Sequence, residues 1–439
     1  MRARRIFLSF LGTNPYTKCN YVWKRQKIKN VNFIQDALVR IFCYDFDRDD
    51  RIIIFNTDRS EKENWLGQNR DYEGLKTILA KMDIDAKVET VKISAAKDEN
   101  DIWKLFETVY GKIESDDSVI LDITHAFRYI PMLAITLLNY AKFLKNIKIE
   151  GIYYGAFEVL GHFTDVEKLP LAERNAPIFD FTPLSEIQDW NTAVENFVNF
   201  GNPKKLNDII NRVARNFHKN RKNKTAEEKE YIKQLGRLKS PLNNFFDSMT
   251  TSRYLNIEKG NCFNDIRLAL DNVKRQKVTH TTLKPLLQII ESKVSNFKQN
   301  TTRNGFIAVE WCIEHNLIQQ GFTLLRETVL TYLLNQLSLP YKNKELRENL
   351  SSYLSVKYKK LPREEWSQHL KKCEYLDEFQ LLKLTGDFLE TYHEIRDARN
   401  EINHAGIPDN RKATNLADKL KKLYKRIESQ LLDKKLRKN

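Results

Sequence analysis

The feature that most constrains this chain is a change of hydrophobic period along its length. Short apolar runs of strand character lie at Arg5–Leu11 (RIFLSFL), Arg51–Asn56 (RIIIFN), Ala86–Ile93 (AKVETVKI), Ser118–Ile123 (SVILDI) and Ile147–Tyr154 (IKIEGIYY). Helical patterns separate them at 29–43, 71–82, 99–113 and 131–145; in one, Ile102, Leu105, Phe106, Val109 and Tyr110 recur at spacings of three and four. Strands alternating with amphipathic helices read as βαβ units. They predict an α/β module with an open, mostly parallel sheet covered on both faces. Beyond residue 185 the strand signal fades, and 185–218, 227–250, 262–300, 305–337, 343–360 and 375–433 all read as helix. The expected plan is α/β plus all-α, with domains at 1–180 and 181–439.

Composition fits that plan. Only 14 of 439 residues are glycine, about half the usual share, which favours long helices over turn-rich sheets. The five cysteines are scattered with no C-x-x-C spacing, so neither a zinc ribbon nor a disulfide framework is expected. The most apolar stretch, Pro131–Leu144, is interrupted by Thr136, Asn139 and Lys142 and is too short to span a bilayer. The opening MRARRIFLSFLG carries basic then apolar residues, but Ser9 breaks the run and no small-residue cleavage site follows. A cytoplasmic protein without a membrane partner is expected. Lys+Arg exceed Asp+Glu by 73 to 58, a formal charge of +15, which suits a polyanion partner or a solvated basic surface. His218–Lys224 reads as a basic joint, and the Lys/Arg-rich segment after Lys419 as the solvated face of a last helix, with an RNA clamp as the lesser alternative.

Parallel sheets bind ligands beyond the carboxyl ends of their strands. After the first strand comes Gly12-Thr13-Asn14-Pro15-Tyr16, where glycine permits a tight turn and Thr13 and Asn14 offer hydroxyl and amide groups. After the fourth comes Asp122-Ile123-Thr124-His125-Ala126-Phe127-Arg128-Tyr129-Ile130-Pro131. Pro131 places a helix start near Tyr129–Pro131. Thr124–Arg128 then forms a loop at a helix entrance, where free N–H groups, the helix dipole and Arg128 favour a phosphate, with His125 able to contact base, ribose or phosphate. The plainer alternative makes Thr124 a cap, with His125 and Arg128 on the surface. There is no G-x-G-x-x-G after the first strand and no G-x-x-x-x-G-K-[ST], which disfavours a dinucleotide fold and an ordinary P-loop.

Near the other end stands Tyr392-His393-Glu394-Ile395-Arg396-Asp397-Ala398-Arg399-Asn400-Glu401-Ile402-Asn403-His404-Ala405-Gly406. On a helix Arg399 and His404 fall about 140° apart, so Asn403 is the nearer i,i+4 neighbour of Arg399, and Gly406 is placed to end the helix. Cleaving RNA by its own 2′-OH needs proton removal, charge stabilisation on the phosphate and proton delivery to the 5′-oxygen. Arg399 suits the charge, His404 the protons, and Asn400 the orientation of either; no metal is needed. The alternative is a helix-end histidine on terminal carbonyls, with Arg399 pairing Glu394 or Glu401.

Taken together these segments resemble a known family. FLSFLGTNPY (7–16), VILDITHAFRYIP (119–131) and IYYGAFE (152–158) resemble a CARF domain, the Rossmann-like sensor of CRISPR-associated proteins. Arg399-Asn400-x-x-x-His404 resembles the R-x(4–6)-H motif of HEPN ribonucleases. The resemblance implies a type III CRISPR ancillary ribonuclease: a cyclic oligoadenylate bound across a CARF homodimer switches on a HEPN pair. That pair cuts single-stranded RNA without a metal, leaving 2′,3′-cyclic phosphate and 5′-OH ends. It implies ligand contacts from Gly12, Thr13, Asn14, Thr124, His125 and Arg128 and catalysis by Arg399, Asn400 and His404. A four-adenylate ring fits a two-fold dimer most simply. Three alternatives stay open: a non-catalytic sensor that controls a partner, a HEPN nuclease sensing another nucleotide, and a CARF domain that also degrades its activator with Thr13, Thr124 or His125. Gly321, Arg326 and Glu327 are read as core of a helix through Leu337, with support of the active site as the lesser possibility.

Overall fold

The computed structural model describes residues 2–94, 96–125, 129–219, 225–277, 282–405 and 413–432. Its contacts divide the chain into two compact units, Met1–Glu186 and Ile187–Asn439.

The first unit is built on eight strands: β1 (Arg5–Phe10), β2 (Cys19–Trp23), β3 (Gln26–Val31), β4 (Arg51–Asn56), β5 (Lys87–Lys92), β6 (Ser118–Asp122), β7 (Lys148–Gly155) and β8 (Asn175–Asp180). Their order is β3-β2-β8-β7-β6-β1-β4-β5. The run from β5 to β7 is wholly parallel, while β7–β8 and β2–β3 pair antiparallel. Period-two alternation assigns the faces. Phe7, Ile52, Ile54 and Ile120 pack with Ile34 and Leu38 of α1 (Ile34–Phe42) and Leu75 and Leu79 of α2 (Leu75–Ala80). Leu8, Phe10, Ile53, Phe55, Val119 and Leu121 pack with Leu105 and Val109 of α3 (Glu99–Gly111) and Leu137 and Leu138 of α4 (Ile130–Lys145). Each such buried side chain contributes roughly 1.5–3 kcal/mol. The chain thus leaves β1 toward one face and β6 toward the other, so a crevice opens between their carboxyl ends.

All five strands expected from apolar runs are present. The helix expected over 29–43 is shorter, because Gln26–Val31 is a strand that hairpins back on β2. Its sequence, QKIKNV, is polar at an exposed edge, and the turn uses Lys24 at φ 53° with no glycine, so this strand carries no apolar run and the hairpin no turn signature. β8 was hidden by Pro177, which cannot donate; its carbonyl accepts from Ala156 N at 2.9 Å.

Every regular element among the described residues of the second unit is a helix. It includes α5 (Ile318–Gln336), α6 (Lys344–Tyr358), α7 (Gly386–Asn403) and α8 (Ala413–Leu432). α5 is buried on most sides by Phe322, Leu324, Leu325, Val329, Leu330, Leu333 and Leu334. Gly321 lets α8 approach, since a Cβ there would lie 2.4 Å from Leu420 Cδ2. Arg347 of α6 reaches Glu327 Oε2 with Nε at 3.0 Å and Nη2 at 2.6 Å, and Thr331 Oγ1 at 2.9 Å. Arg326 and Tyr392 both donate to Ser351 Oγ, at 3.2 and 2.9 Å. Arg326 and Glu327 therefore tie α5 to α6 and α7 as part of the core. No helix among the described residues is long and apolar enough to cross a membrane.

Candidate functional site

Beyond β1 and β6 lies a cavity of about 1120 Å³, lined in part by Gly12–Lys18, Thr57, Tyr72, Thr124, His125, Phe163 and Arg174. That exceeds the roughly 300–1,000 Å³ of small-molecule pockets.

The Gly12–Tyr16 loop is held from behind. Asn64 Nδ2 donates to the carbonyls of Gly12 (2.8 Å) and Asn14 (3.0 Å), and Arg70 Nη2 to that of Thr13 (3.0 Å). Arg70 is itself fixed by Glu63 Oε2 at 2.5 Å and Asn64 Oδ1 at 3.3 Å, and Tyr72 OH also donates to Asn64 Oδ1 at 3.0 Å. With three consecutive carbonyls committed, the side chains of Thr13 and exposed Asn14 are left at the cavity. Gly12 N–H is not free for a ligand: it donates to Tyr16 Oη at 2.9 Å. Burial raises the Tyr16 pKa well above its usual value, so that hydroxyl stays neutral.

On the β6 side, Asp122 is buried and accepts from Ser9 Oγ (2.6 Å), Thr124 N (2.9 Å) and Thr124 Oγ1 (2.6 Å). Burial pushes its pKa up, while those three donors pull it down. Thr124 Oγ1 also accepts from Gly155 N at 2.9 Å. Thr124 thus lines the cavity with its hydroxyl already joining β6 to β7, as a cap-like residue does. His125 stands edge-on to Tyr16, ring centroids 4.5 Å apart, and its Nε2 is buried with no partner among the described residues. Arg128, with Ala126 and Phe127, lies outside the described residues, as do Gly406 and 220–224 of the basic joint.

Burial lowers the His125 pKa to about 4 from an ordinary 6.5. Below pH 6.5 the unfolded chain takes up a proton that the folded chain refuses. The stability His125 contributes is therefore complete above pH 6.5 and lost as pH falls toward 4. The wild-type minus His125→Phe difference in unfolding free energy should drop across that interval. Denaturant titrations between pH 7 and 4 check it, and a flat difference contradicts it.

At the other site, Phe388, Thr391, Tyr392, Ile395 and Ala398 bury one face of α7, and Thr385 caps its start by accepting from Phe388 N at 3.1 Å. Arg399 and Asn400 are half-buried beside that face, and His404 is exposed just past the last helical residue. Arg399 Nη1 donates to Asn400 Oδ1 at 3.2 Å. With its amide oxygen turned to the guanidinium, Asn403 accepts from Arg399 Nε at 3.0 Å and from both Nη atoms at 3.2 Å, the expected i,i+4 pairing. His404 joins this group through its backbone, its N–H donating to Asn400 O at 3.0 Å. The helix ends there because Ala405 turns left-handed at φ 56°. Among the described residues no three His, Cys, Asp or Glu side chains stand together as a metal site.

Sequence reasoning missed Asn64, Arg70 and Gln35, the last donating to Ser9 Oγ and Phe10 O at 3.1 Å each. Asp122 had a signal: an acid ending the apolar run SVILD. Asn64 and Arg70 had none, because they reach the loop from some fifty residues away.

Comparison with known proteins bears on the sheet unit. Residues 6–158 match the family model of the CARF domain of the CRISPR system endoribonuclease Csx1. The sheet unit resembles a CARF domain. The CRISPR-associated protein MJ1674 of Methanocaldococcus jannaschii is 25% identical over 351 residues, 74% of this chain. The match takes in 47% of that protein, so the chain spans about half the length of the curated relative it matches. A solved structure of Enterococcus italicus Csm6 bound to cyclic hexa-2′-fluoro-hexa-dAMP aligns over 98% of this chain and 94% of its own, at 14% identity and a TM-score of 0.43.

Proposed function

We propose that this chain is a CRISPR-associated ribonuclease switched on by a cyclic oligoadenylate. The sheet unit senses the ring, and Arg399, Asn400 and His404 form a HEPN-type centre that cuts single-stranded RNA. The observation that carries the reading is the cavity between the ends of β1 and β6, lined mostly by the segment that matches the CARF model. Its volume suits several nucleotides, its loop is braced from behind, and one histidine is kept neutral by burial.

At the RNA, Arg399 bears the phosphate charge, His404 exchanges the proton of the 2′-OH or the 5′-oxygen, and Asn400 orients Arg399. A single helix end offers these groups on two sides, so a second copy completes the grip. An apolar stripe on α4 supports a homodimer: Met132 is 77% and Phe143 86% exposed, with Ile135 and Tyr140 also exposed.

The test is cleavage of a fluorescent single-stranded RNA by the purified chain in EDTA, with and without cyclic tetra-adenylate. Strong activation by the ring is expected, with cyclic tetra-adenylate the most effective size and the 2′-OH supplying the nucleophile in place of a metal-bound water. Tight ring binding with no cleavage under any ring size would leave a sensor and remove the nuclease.

A further inference from the structure

α7 carries more than the three residues assigned to chemistry. His393, Asp397, Asn400 and His404 are spaced by four, three and four, so they lie on one stripe of the helix within about 60°. From His404 the stripe runs about 16 Å to His393. There the ring of Tyr358, the last residue of α6, sits 4.2 Å from the His393 ring. Arg396 Nη2 donates to His393 Nδ1 at 3.1 Å and to Asp397 Oδ1 at 3.1 Å, and Asp397 Oδ2 lies 3.3 Å from His393 Nε2. The stripe's one carboxylate is thus neutralised within the cluster.

Around Tyr358 stand Lys357, Lys359 and Lys360, all exposed, and none pairs with a carboxylate among the described residues. Glu364 and Glu365 follow in sequence but make no ion pair with them. On α8, Arg426 pairs with Asp387, Glu390 and Glu394, and Lys419 with Glu394 at 3.7 Å, while exposed Lys421, Lys422 and Lys425 make no ion pair among the described residues. Lys357, Lys359 and Lys360 thus place unneutralised positive charge at the far end of the stripe that leads to His404, beside a half-exposed aromatic ring. Unpaired lysines track a phosphate backbone, and an aromatic face stacks unpaired bases.

We propose that Lys357, Tyr358, Lys359 and Lys360, at the end of α6 that packs on His393, hold the single-stranded RNA a short way along the strand from the bond cut at Arg399 and His404. This rests on the ribonuclease reading and adds the path of its substrate. Base stacking on Tyr358 fixes the strand, and the lysines neutralise its phosphates.

The test uses the full chain carrying His404→Ala, so that RNA is bound and not cut, and follows a fluorescent single-stranded RNA by anisotropy from 50 to 300 mM salt. Adding Lys357→Gln, Lys359→Gln and Lys360→Gln together should weaken binding about tenfold or more and reduce the slope of log K against log salt by about 2, at roughly 0.7 per phosphate. Tyr358→Ala should weaken binding about tenfold. With His404 restored, the lysine variant should raise KM and leave kcat within about twofold. Unchanged affinity and salt slope, in a variant that still melts cooperatively and binds cyclic tetra-adenylate, would overturn the track; the lysines would then serve only the C-terminal dipole of α6. If cleavage also continued at unchanged KM, the ribonuclease reading would stand alone. A parent chain that binds no RNA would remove both.

Discussion

Replacing His404 with alanine is expected to slow RNA cleavage by about 10²–10⁴-fold, the usual worth of a positioned acid–base group. The fold should not suffer. His404 is exposed, it enters the helix end through its backbone N–H, and exposed substitutions of that kind change stability by about 0.5 kcal/mol or less. Cyclic oligoadenylate should bind as before, since Gly12–Tyr16, Thr124 and His125 belong to the other unit. Arg399→Ala should cost about 10²–10³-fold through lost charge stabilisation. Arg399→Lys should recover little, because the planar guanidinium is held at three nitrogens by Asn403 while an ammonium is a single point charge. Asn400→Ala should cost less than either, as it acts through Arg399. Initial rates in EDTA at saturating ring, read beside a ring-binding isotherm for each variant, check the set. Full activity in both His404→Ala and Arg399→Ala would place the chemistry elsewhere in the chain.

The parts of this molecule that were legible in its sequence are those where local pattern and burial agree. RIIIFN and SVILD are buried on both faces of a parallel sheet, so an apolar run suffices to mark them. The Arg399–Asn403 pairing follows from helical spacing alone. The edge strand QKIKNV reads as polar because one side meets solvent, and β8 contains a proline that a strand tolerates only where its missing N–H is not needed. At the candidate ligand site, Gly12–Asn14 and Thr124–His125 were visible as strand-end loops, but their bracing was not. Asn64 and Arg70 reach back from a segment after β4, and no period or motif links them to the loop they hold. Thr124 shows the converse: a residue correctly placed at the cavity, with its hydroxyl spent on Asp122 and Gly155.

That bracing makes Gly12→Val the substitution expected to damage sensing most. A Cβ at Gly12 would lie 3.0 Å from Tyr16 Oη and 3.4 Å from His125 Cβ, and valine adds two methyls beyond it. Tyr16 has little room to withdraw. Its ring is buried, 4.9 Å from Phe33 and 4.5 Å from His125 by centroid, and its own N–H is anchored on Tyr72 Oη at 3.0 Å. The strain therefore falls on the loop, which loses the Gly12 N–H···Oη bond and moves Thr13 and Asn14, and on His125, which is pushed from its place beside Tyr16. Three cavity-lining residues shift together, so affinity for cyclic tetra-adenylate should fall about 100-fold or more, equivalent to about 2.7 kcal/mol. The sheet beneath should survive, because β1 ends at Phe10 and its register with β4 and β6 lies before the loop. Ring-stimulated cleavage should then need correspondingly more ring to reach half-maximum, with the rate at saturation preserved. Calorimetric titration of the variant decides the matter: unchanged affinity in a chain that still unfolds cooperatively would mean that the ring is bound somewhere other than the ends of β1 and β6.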